Sequence, residues 1–332
     1  MRAFVINELS GPEAGAITEI PAPEGAHPWT EGQRLLIEVH AAGVSLPDLL
    51  QTRGMYQHAQ PVPYVAGGEV AGVVREAPPG SSFVPGDRVA GLTVFGALAE
   101  YALALPDYTI KLPSHVDFGA GAALYLNYAT AWFSLYRAGF VAHDVVLVHG
   151  ASGGVGTATL QLVRARGGVP VAVVSSEVKA QAAREAGAKH VLLSSGPWAQ
   201  QAKELTGGRG AQVVVDPVGG DRVTDSLRSL DVGGRLAVVG FAAGEIPEIK
   251  LNRLLLRDLS VVGVALEPYA RRYPDVLRTL TAELENMAAQ GQVCPLVGHR
   301  LPMEQAAEAL SLIDRRRAVG KVIVDIRDDS GA

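Results

Sequence analysis

Cysteine is nearly missing from this 332-residue chain. Cys294 is the single one, which excludes an intrachain disulfide and any multi-cysteine zinc site and suits a cytoplasmic protein. A basic excess is missing as well, with 29 Lys and Arg against 34 Asp and Glu and a formal charge of −5. Apart from Arg315, Arg316 and Arg317 the cations are dispersed, so no phosphate-neutralising surface for DNA or RNA is evident. Targeting and membrane signals are lacking too. The start MRAFVINELS has no basic segment leading into an apolar run, and the uncharged stretch 118–136 carries Asn127, Tyr128, Thr130 and Ser134, so it reads as a buried helix with no membrane partner. Charged residues make up only 19%, but apolar ones reach 48%, with 38 Gly and 20 Pro. That composition excludes intrinsic disorder, and the length points to two domains of a compact, turn-rich α/β protein.

Up to about residue 117, short runs broken by Gly and Pro (RAFVI, RLLIEVHAAGV, EVAGVVREA, GDRVAGL, LAEYALAL) predict an all-β unit. Near residue 120 the texture changes to strands alternating with helix-length segments. The strands are VVLVHG at 145–150, VPVAVV at 169–174, HVLL at 190–193, QVVVD at 212–216, RLAVVG at 235–240 and SVVGVAL at 260–266. Six nearly continuous apolar strands with crossovers are what a parallel, doubly wound sheet of the Rossmann type requires. Beyond 267 the pattern predicts a long helix to Ala289, a strand at QVCPLV, a helix from Met303 to Arg315 and a closing strand KVIVDI. This tail is expected to return to the first domain, which divides the chain into 1–120 with 267–332, and 121–266.

ASGGVG at 151–156 follows the first of the parallel strands and opens a helix. Backbone N–H groups and the positive end of a helix face an anion there, and Gly153, Gly154 and Gly156 permit close approach of a pyrophosphate and tight packing of helix on strand. Ala151, Ser152 and Val155 complete the turn, and a dinucleotide is the implied cofactor. NAD sites place an acid at the end of the second strand to bond the ribose 2′-OH. Here VPVAVV ends in Ser175 and Ser176, with Lys179 three residues on, which favours the 2′-phosphate of NADPH. Glu177 counts against it, and Lys179 reads also as a solvated lysine at a helix start.

Further stretches extend the pattern: AAGVSLPDLLQTRGMY at 41–56, PYVAGGEVAGVV at 63–74, VPGDRVA at 84–90, LAEYA at 98–102, VVVDPVGG at 213–220, GGRLAVVGFAAG at 233–244 and VGKVIVDI at 319–326. With these, nearly the whole chain resembles the medium-chain dehydrogenase/reductase superfamily, on its zinc-free NADPH:quinone oxidoreductase branch. The resemblance implies a GroES-like β-barrel catalytic domain, made from the first part plus the tail, flanking a Rossmann NADPH-binding domain. It also implies a homodimer joined through SVVGVAL as an edge strand. In the zinc alcohol dehydrogenases of the superfamily a cysteine ligand stands at the position of Ser45 and a histidine ligand at that of Gly68; with both missing, and the four-cysteine zinc lobe missing too, no metal is expected. Relative to the quinone reductases, Ser45 stands where asparagine is common, while Asp48, Tyr56 and Thr130 agree. Ser194 stands where some members have a tyrosine on the adenine. Phe241, Asn252 and Val264 match segments near the nicotinamide, and Lys321 lies in the matched tail; the resemblance carries all four as cofactor positions.

Without a Lewis acid, hydride transfer suits a small electron-poor acceptor whose negative charge delocalises. Quinones fit, with α,β-unsaturated carbonyls (2-enals, enones or enoyl thioesters) as the alternative. Candidate donors to the developing oxyanion are Tyr56, Ser45, Tyr128 and Asn127, with Asp48 beside them. Each has a second reading: Tyr56 as a pocket wall, Asp48 as the holder of a turn around Pro47, Tyr128 and Asn127 as satisfied core groups, and Asp216 as a turn former before Pro217. His40, His58 and His149 are too scattered to suggest a metal cluster. A third reading stays open, in which the chain binds NADPH with little turnover as a structural or sensor protein.

Overall fold

A computed structural model describes residues 1–27, 29 and 33–327. The chain first runs through β1 (Arg2–Ile6), β2 (Gly15–Glu19), β3 (Leu35–Val44), α1 (Leu46–Thr52), β4 (Tyr64–Val65), β5 (Glu69–Glu76), β6 (Arg88–Leu92), β7 (Tyr101–Ala104) and β8 (Thr109–Lys111). After α2 (Phe118–Gly121) and α3 (Tyr125–Arg137) come β9 (Val145–His149), α4 (Gly154–Ala165), β10 (Val169–Val174), α5 (Glu177–Glu185) and β11 (His190–Leu193). Next are α6 (Trp198–Glu204), β12 (Ala211–Asp216), α7 (Val223–Ser229), β13 (Leu230–Val238), α8 (Asn252–Leu255) and β14 (Ser260–Gly263). The tail holds α9 (Leu266–Arg272), α10 (Asp275–Ala289), β15 (Val297–Pro302), α11 (Ala306–Asp314) and β16 (Lys321–Asp325). Two compact units result: Met1–Leu126 with Leu277–Ala332, and Asn127–Val276.

The second unit is one sheet in the order β11-β10-β9-β12-β13-β14, every neighbouring pair parallel. Counted from β9, that is 3-2-1-4-5-6, the doubly wound order. Leu147, Val171, Val173, Val214 and Leu236 are buried along the inner strands. Helices cover both faces of such a sheet, so these strands run continuously apolar.

In the first unit β2-β1-β4 form a small antiparallel sheet, and seven strands form a second in the order β15-β16-β3-β5-β6-β8, with β7 also on β3. The tail enters it through β16, antiparallel to β3 with Val322 opposite Val44. Ile6, Leu35, Ile37, Val70, Leu310 and Val324 are buried together in its core; burying each such side chain stabilises the unit by about 1.5–3 kcal/mol.

Several boundaries differ from the sequence pattern. QVCPLV enters a strand only at Val297, because Pro295 has no N–H to give a ladder; the strand is β15, whose residues alternate half-buried and exposed. The helix expected from 267 to 289 breaks at Pro274, which forces Tyr273 out of helical backbone (φ −132°, ψ 73°). Residues 118–136 make two helices, not one, and SVVGVAL is a strand only over Ser260–Gly263. Among the described residues no helix is long and apolar enough to cross a membrane.

Candidate functional site

Because the six strands of the second unit are parallel, their carboxyl ends share one edge, where open α/β sheets take ligands. β9 ends at His149, and Gly150 then turns the chain with φ +57°, a conformation that favours glycine. At Gly156 a Cβ would stand 2.3 Å from the Gly150 carbonyl oxygen and 2.6 Å from Ala151 Cα, so only glycine lets α4 pack on the turn. At Gly153 the nearest atom to such a Cβ is the Gly150 oxygen at 3.5 Å. Gly153 is also the N-cap of the twelve-residue α4, and it supplies no side-chain hydrogen bond. The helix thus starts with bare backbone and an open face, which suits an anionic group.

Two serines, not an acid, directly follow β10. Ser175 and Ser176 are exposed and Lys179 is half-buried, while Ser176 Oγ caps α5 by accepting the Lys179 N–H at 3.4 Å. Glu177 lies 3.7 Å from Arg184, which draws its carboxylate along its own helix. Ser194 follows β11 and donates its N–H to the Val174 oxygen at 2.8 Å, beside the end of β10. Phe241 and Val264 follow β13 and β14. The edge therefore gathers Ala151, Ser152, Gly153, Gly154, Val155, Gly156, Ser175, Ser176, Lys179, Ser194, Phe241 and Val264. Thr130, within α3, and Asn252, exposed at the start of α8, do not sit at strand ends. Asp216 is a turn former: its Oδ1 accepts the N–H groups of Val218 (2.8 Å) and Gly219 (3.0 Å).

Two of the expected donors have partners inside the second unit. Tyr128 is 2% exposed and donates its hydroxyl to Gln161 Oε1 at 2.8 Å, so it is spent inside the unit. Asn127 is buried with its amide nitrogen 2.3 Å from where a Gly154 Cβ would stand, and it braces the glycine turn. Both follow from α3 burying the face that carries them. His149 is fully buried, its Nε2 2.8 Å from Ser226 Oγ and its ring edge-on to Trp198. Burial pushes its pKa down to about 4, so the imidazole is neutral. An open depression of about 410 Å³ is lined by Pro197, Trp198, Lys203, Asp225 and Arg228. It carries no group of the glycine turn, and its Asp225 and Arg228 pair with each other at 2.9 Å.

In the first unit, strand register gathers residues far apart in the chain. With Gly43 opposite Glu69 and Val44 opposite Val322, the Lys321 ammonium donates to Glu69 Oε2 and to Ser45 Oγ, each at 2.6 Å. The Lys321 and Glu69 side chains are only 3% and 0% exposed. Glu69 Oε1 accepts the Leu126 N–H at 2.8 Å, at the start of α3. Burial pushes the Glu69 carboxyl above its usual range, against the pull of Lys321 and of the Leu126 and Tyr125 N–H groups. Glycine at 43 admits both the Ala122 backbone and the pair, since a Cβ there would lie 2.1 Å from the Ala122 oxygen and 2.6 Å from Lys321 Cε.

Asp48 is buried beside the pair, and its carboxylate reaches back to the Ser45 N–H at 2.6 Å, closing a capping box on α1. Burial pushes its pKa up to about 6; Lys321 and the N–H groups of Ser45 and Gly68 oppose the rise, and Glu69 adds to it. Ser45 and Tyr56 are half-buried, and the Tyr56 ring meets His58 edge-on at 5.5 Å. Lys321, expected among the cofactor contacts, is a buried ion-pair partner in the first unit. Glu69 escaped sequence reasoning; the signal was a lone charge in each of two apolar runs, GGEVAGVV and VGKVIV. Among the described residues no group of three or more His, Cys, Asp or Glu could hold a metal ion.

Comparison with known proteins covers both units. Residues 31–114 match the alcohol dehydrogenase GroES-like domain, and residues 154–282 match the zinc-binding dehydrogenase family. The chain is 33% identical to the quinone oxidoreductase of Rattus norvegicus, over 98% of this chain and 97% of that one. A mycobacterial protein solved with NADPH superposes with a TM-score of 0.87 at 32% identity, covering 98% of this chain and 100% of that one. The Escherichia coli quinone oxidoreductase solved with NADPH gives 0.86 at 26% identity, with the same coverage.

Proposed function

The chain belongs to the medium-chain dehydrogenase/reductase superfamily, on its quinone oxidoreductase branch, and from that premise we propose that it is an NADPH-dependent enzyme reducing quinones without zinc. The observation that carries the reading is the end of β10, where two exposed serines and Lys179 stand in place of the acid that would bond an unphosphorylated ribose. The open face at Gly153 and the uncapped start of α4 suit the pyrophosphate. When bound, NADPH supplies a hydride. The Ser45 and Tyr56 hydroxyls are the donors offered to the acceptor oxygen, and Asp48 fixes the Ser45 backbone. In this reading the unit of residues 1–120 and 267–332 holds the acceptor, and 121–266 holds the cofactor.

The donor set does not fit zinc. Gly68 has no ligand atom, and Ser45 Oγ already accepts a buried ammonium at 2.6 Å, which would repel a divalent cation. The edge strand β14 pairs on one side only and exposes Ser260, Val261 and Gly263, which supports a homodimer through it; a single-chain mass in light scattering would remove that idea. The single cysteine suits the cytoplasm.

The test is loss of NADPH absorbance, with NADH in parallel, on chelator-treated protein offered 1,4-benzoquinone and 2-hexenal separately. Quinone-dependent oxidation of NADPH, undiminished by the chelator, is the expected result. A faster rate with the enal would reassign the acceptor class, and no turnover despite NADPH binding would favour a non-catalytic binder.

A further inference from the structure

A buried ion pair costs desolvation that two apolar side chains would avoid, and this sheet makes room for one at Gly43. The Lys321 ammonium donates to Ser45 Oγ at 2.6 Å, and the Asp48 backbone N–H faces the same oxygen in the capping box. A hydroxyl has two lone pairs and one hydrogen; with donors on its oxygen, its hydrogen is left to donate elsewhere. Ser45 is also the one member of the Ser45, Asp48, Glu69 and Lys321 cluster that is not buried. Glu69 offsets the ammonium only in part, because its second oxygen accepts the Leu126 N–H at the start of α3 at 2.8 Å, where the helix dipole draws on its charge.

We propose that Lys321 is a positioning residue that makes Ser45 a charge-backed hydrogen-bond donor for an oxyanion, the phenolate or enolate that forms on the reduced acceptor. The inference rests on the reading above. In the step the C4–H bond of the dihydronicotinamide breaks and its hydride forms either a C–H bond at the carbon β to the acceptor carbonyl, leaving an enolate, or an O–H bond at the far oxygen of a quinone, leaving a phenolate; the acceptor π pair moves onto the oxygen that Ser45 faces. The Ser45 O–H bond stays intact while its hydrogen bonds that oxygen, which then takes a proton from solvent water. Two electrons leave the nicotinamide, and NADP⁺ is the oxidised product. The ammonium thus holds the charge that a metal cation would otherwise stabilise.

The test uses 4-nitrophenol as an oxyanion probe on the full chain with NADP⁺ present, read by phenolate absorbance. Wild type should bind the phenolate and shift its ionisation to lower pH. Ser45→Ala should weaken that binding about 10-fold or more. The double variant Lys321→Met/Glu69→Gln, which removes both charges and so guards the fold, should do the same, and adding Ser45→Ala to it should cost little more. NADPH affinity should stay within about twofold and quinone-dependent kcat should fall about 10- to 100-fold, with Ser45→Thr restoring most of it. Wild-type phenolate affinity in the folded double variant or in Ser45→Ala would overturn the inference while leaving the quinone reductase reading intact. A wild type that binds the phenolate through these residues but never oxidises NADPH with a quinone would overturn that reading and keep the oxyanion site.

Discussion

Replacing Lys321 by methionine removes the countercharge of a carboxylate that is 0% exposed. Glu69 would keep the N–H of Leu126 at 2.8 Å but lose its 2.6 Å contact with the ammonium. Breaking a buried pair on one side costs about 3–5 kcal/mol, so Lys321→Met should lower the urea midpoint of the first unit by roughly 1–3 M at an ordinary urea slope. The loss should depend on pH in a fixed sense. Burial already holds the Glu69 carboxyl above its ordinary 4.5, and without Lys321 it rises further. A carboxyl raised by folding loses stability as pH climbs from its unfolded value through its folded one. The variant's deficit should therefore be small at pH 5 and full at pH 8, and Glu69→Gln added to it should recover part of the loss. Trp29, the one tryptophan of the first unit, reports the transition in a background carrying Trp132→Phe and Trp198→Phe. A deficit below about 1 kcal/mol at pH 8, or equal deficits at the two pH values, would refute the reasoning.

Three further outcomes are expected. Gly156→Ala, whose Cβ would meet backbone at 2.3 Å, should destabilise the second unit by about 2–4 kcal/mol, whereas Gly153→Ala, 3.5 Å from its nearest atom, should fold normally yet bind NADPH about tenfold more weakly; calorimetry and cofactor titration separate them. His149 is held near 4, below its unfolded 6.5, so the second unit should lose about 3 kcal/mol as pH falls from 6.5 to 4, and His149→Gln should flatten that slope in acid unfolding curves. Lys179→Glu should lower kcat/KM for NADPH about tenfold or more without lowering it for NADH; an equal fall for both would show that Lys179 does not read the 2′-phosphate.

The amino-acid sequence by itself determined what local rules can reach. The six apolar strands appear in order because burial on both faces leaves a continuous run, and the glycine turn appears because close backbone approach admits nothing larger at Gly156. The serines after VPVAVV were legible because the end of the second strand is a fixed distance from that turn. Only the tertiary structure decided the rest. Tyr128 and Asn127 have the right chemistry for a site, but which face of α3 is buried depends on what packs against it. Ser45, Glu69 and Lys321 lie 24 and 252 positions apart and meet only through the register of β3 with β5 and β16. Such register is set by strand pairing across the whole sheet, where a slip of one residue would turn Lys321 to the other face. No window of sequence contains it.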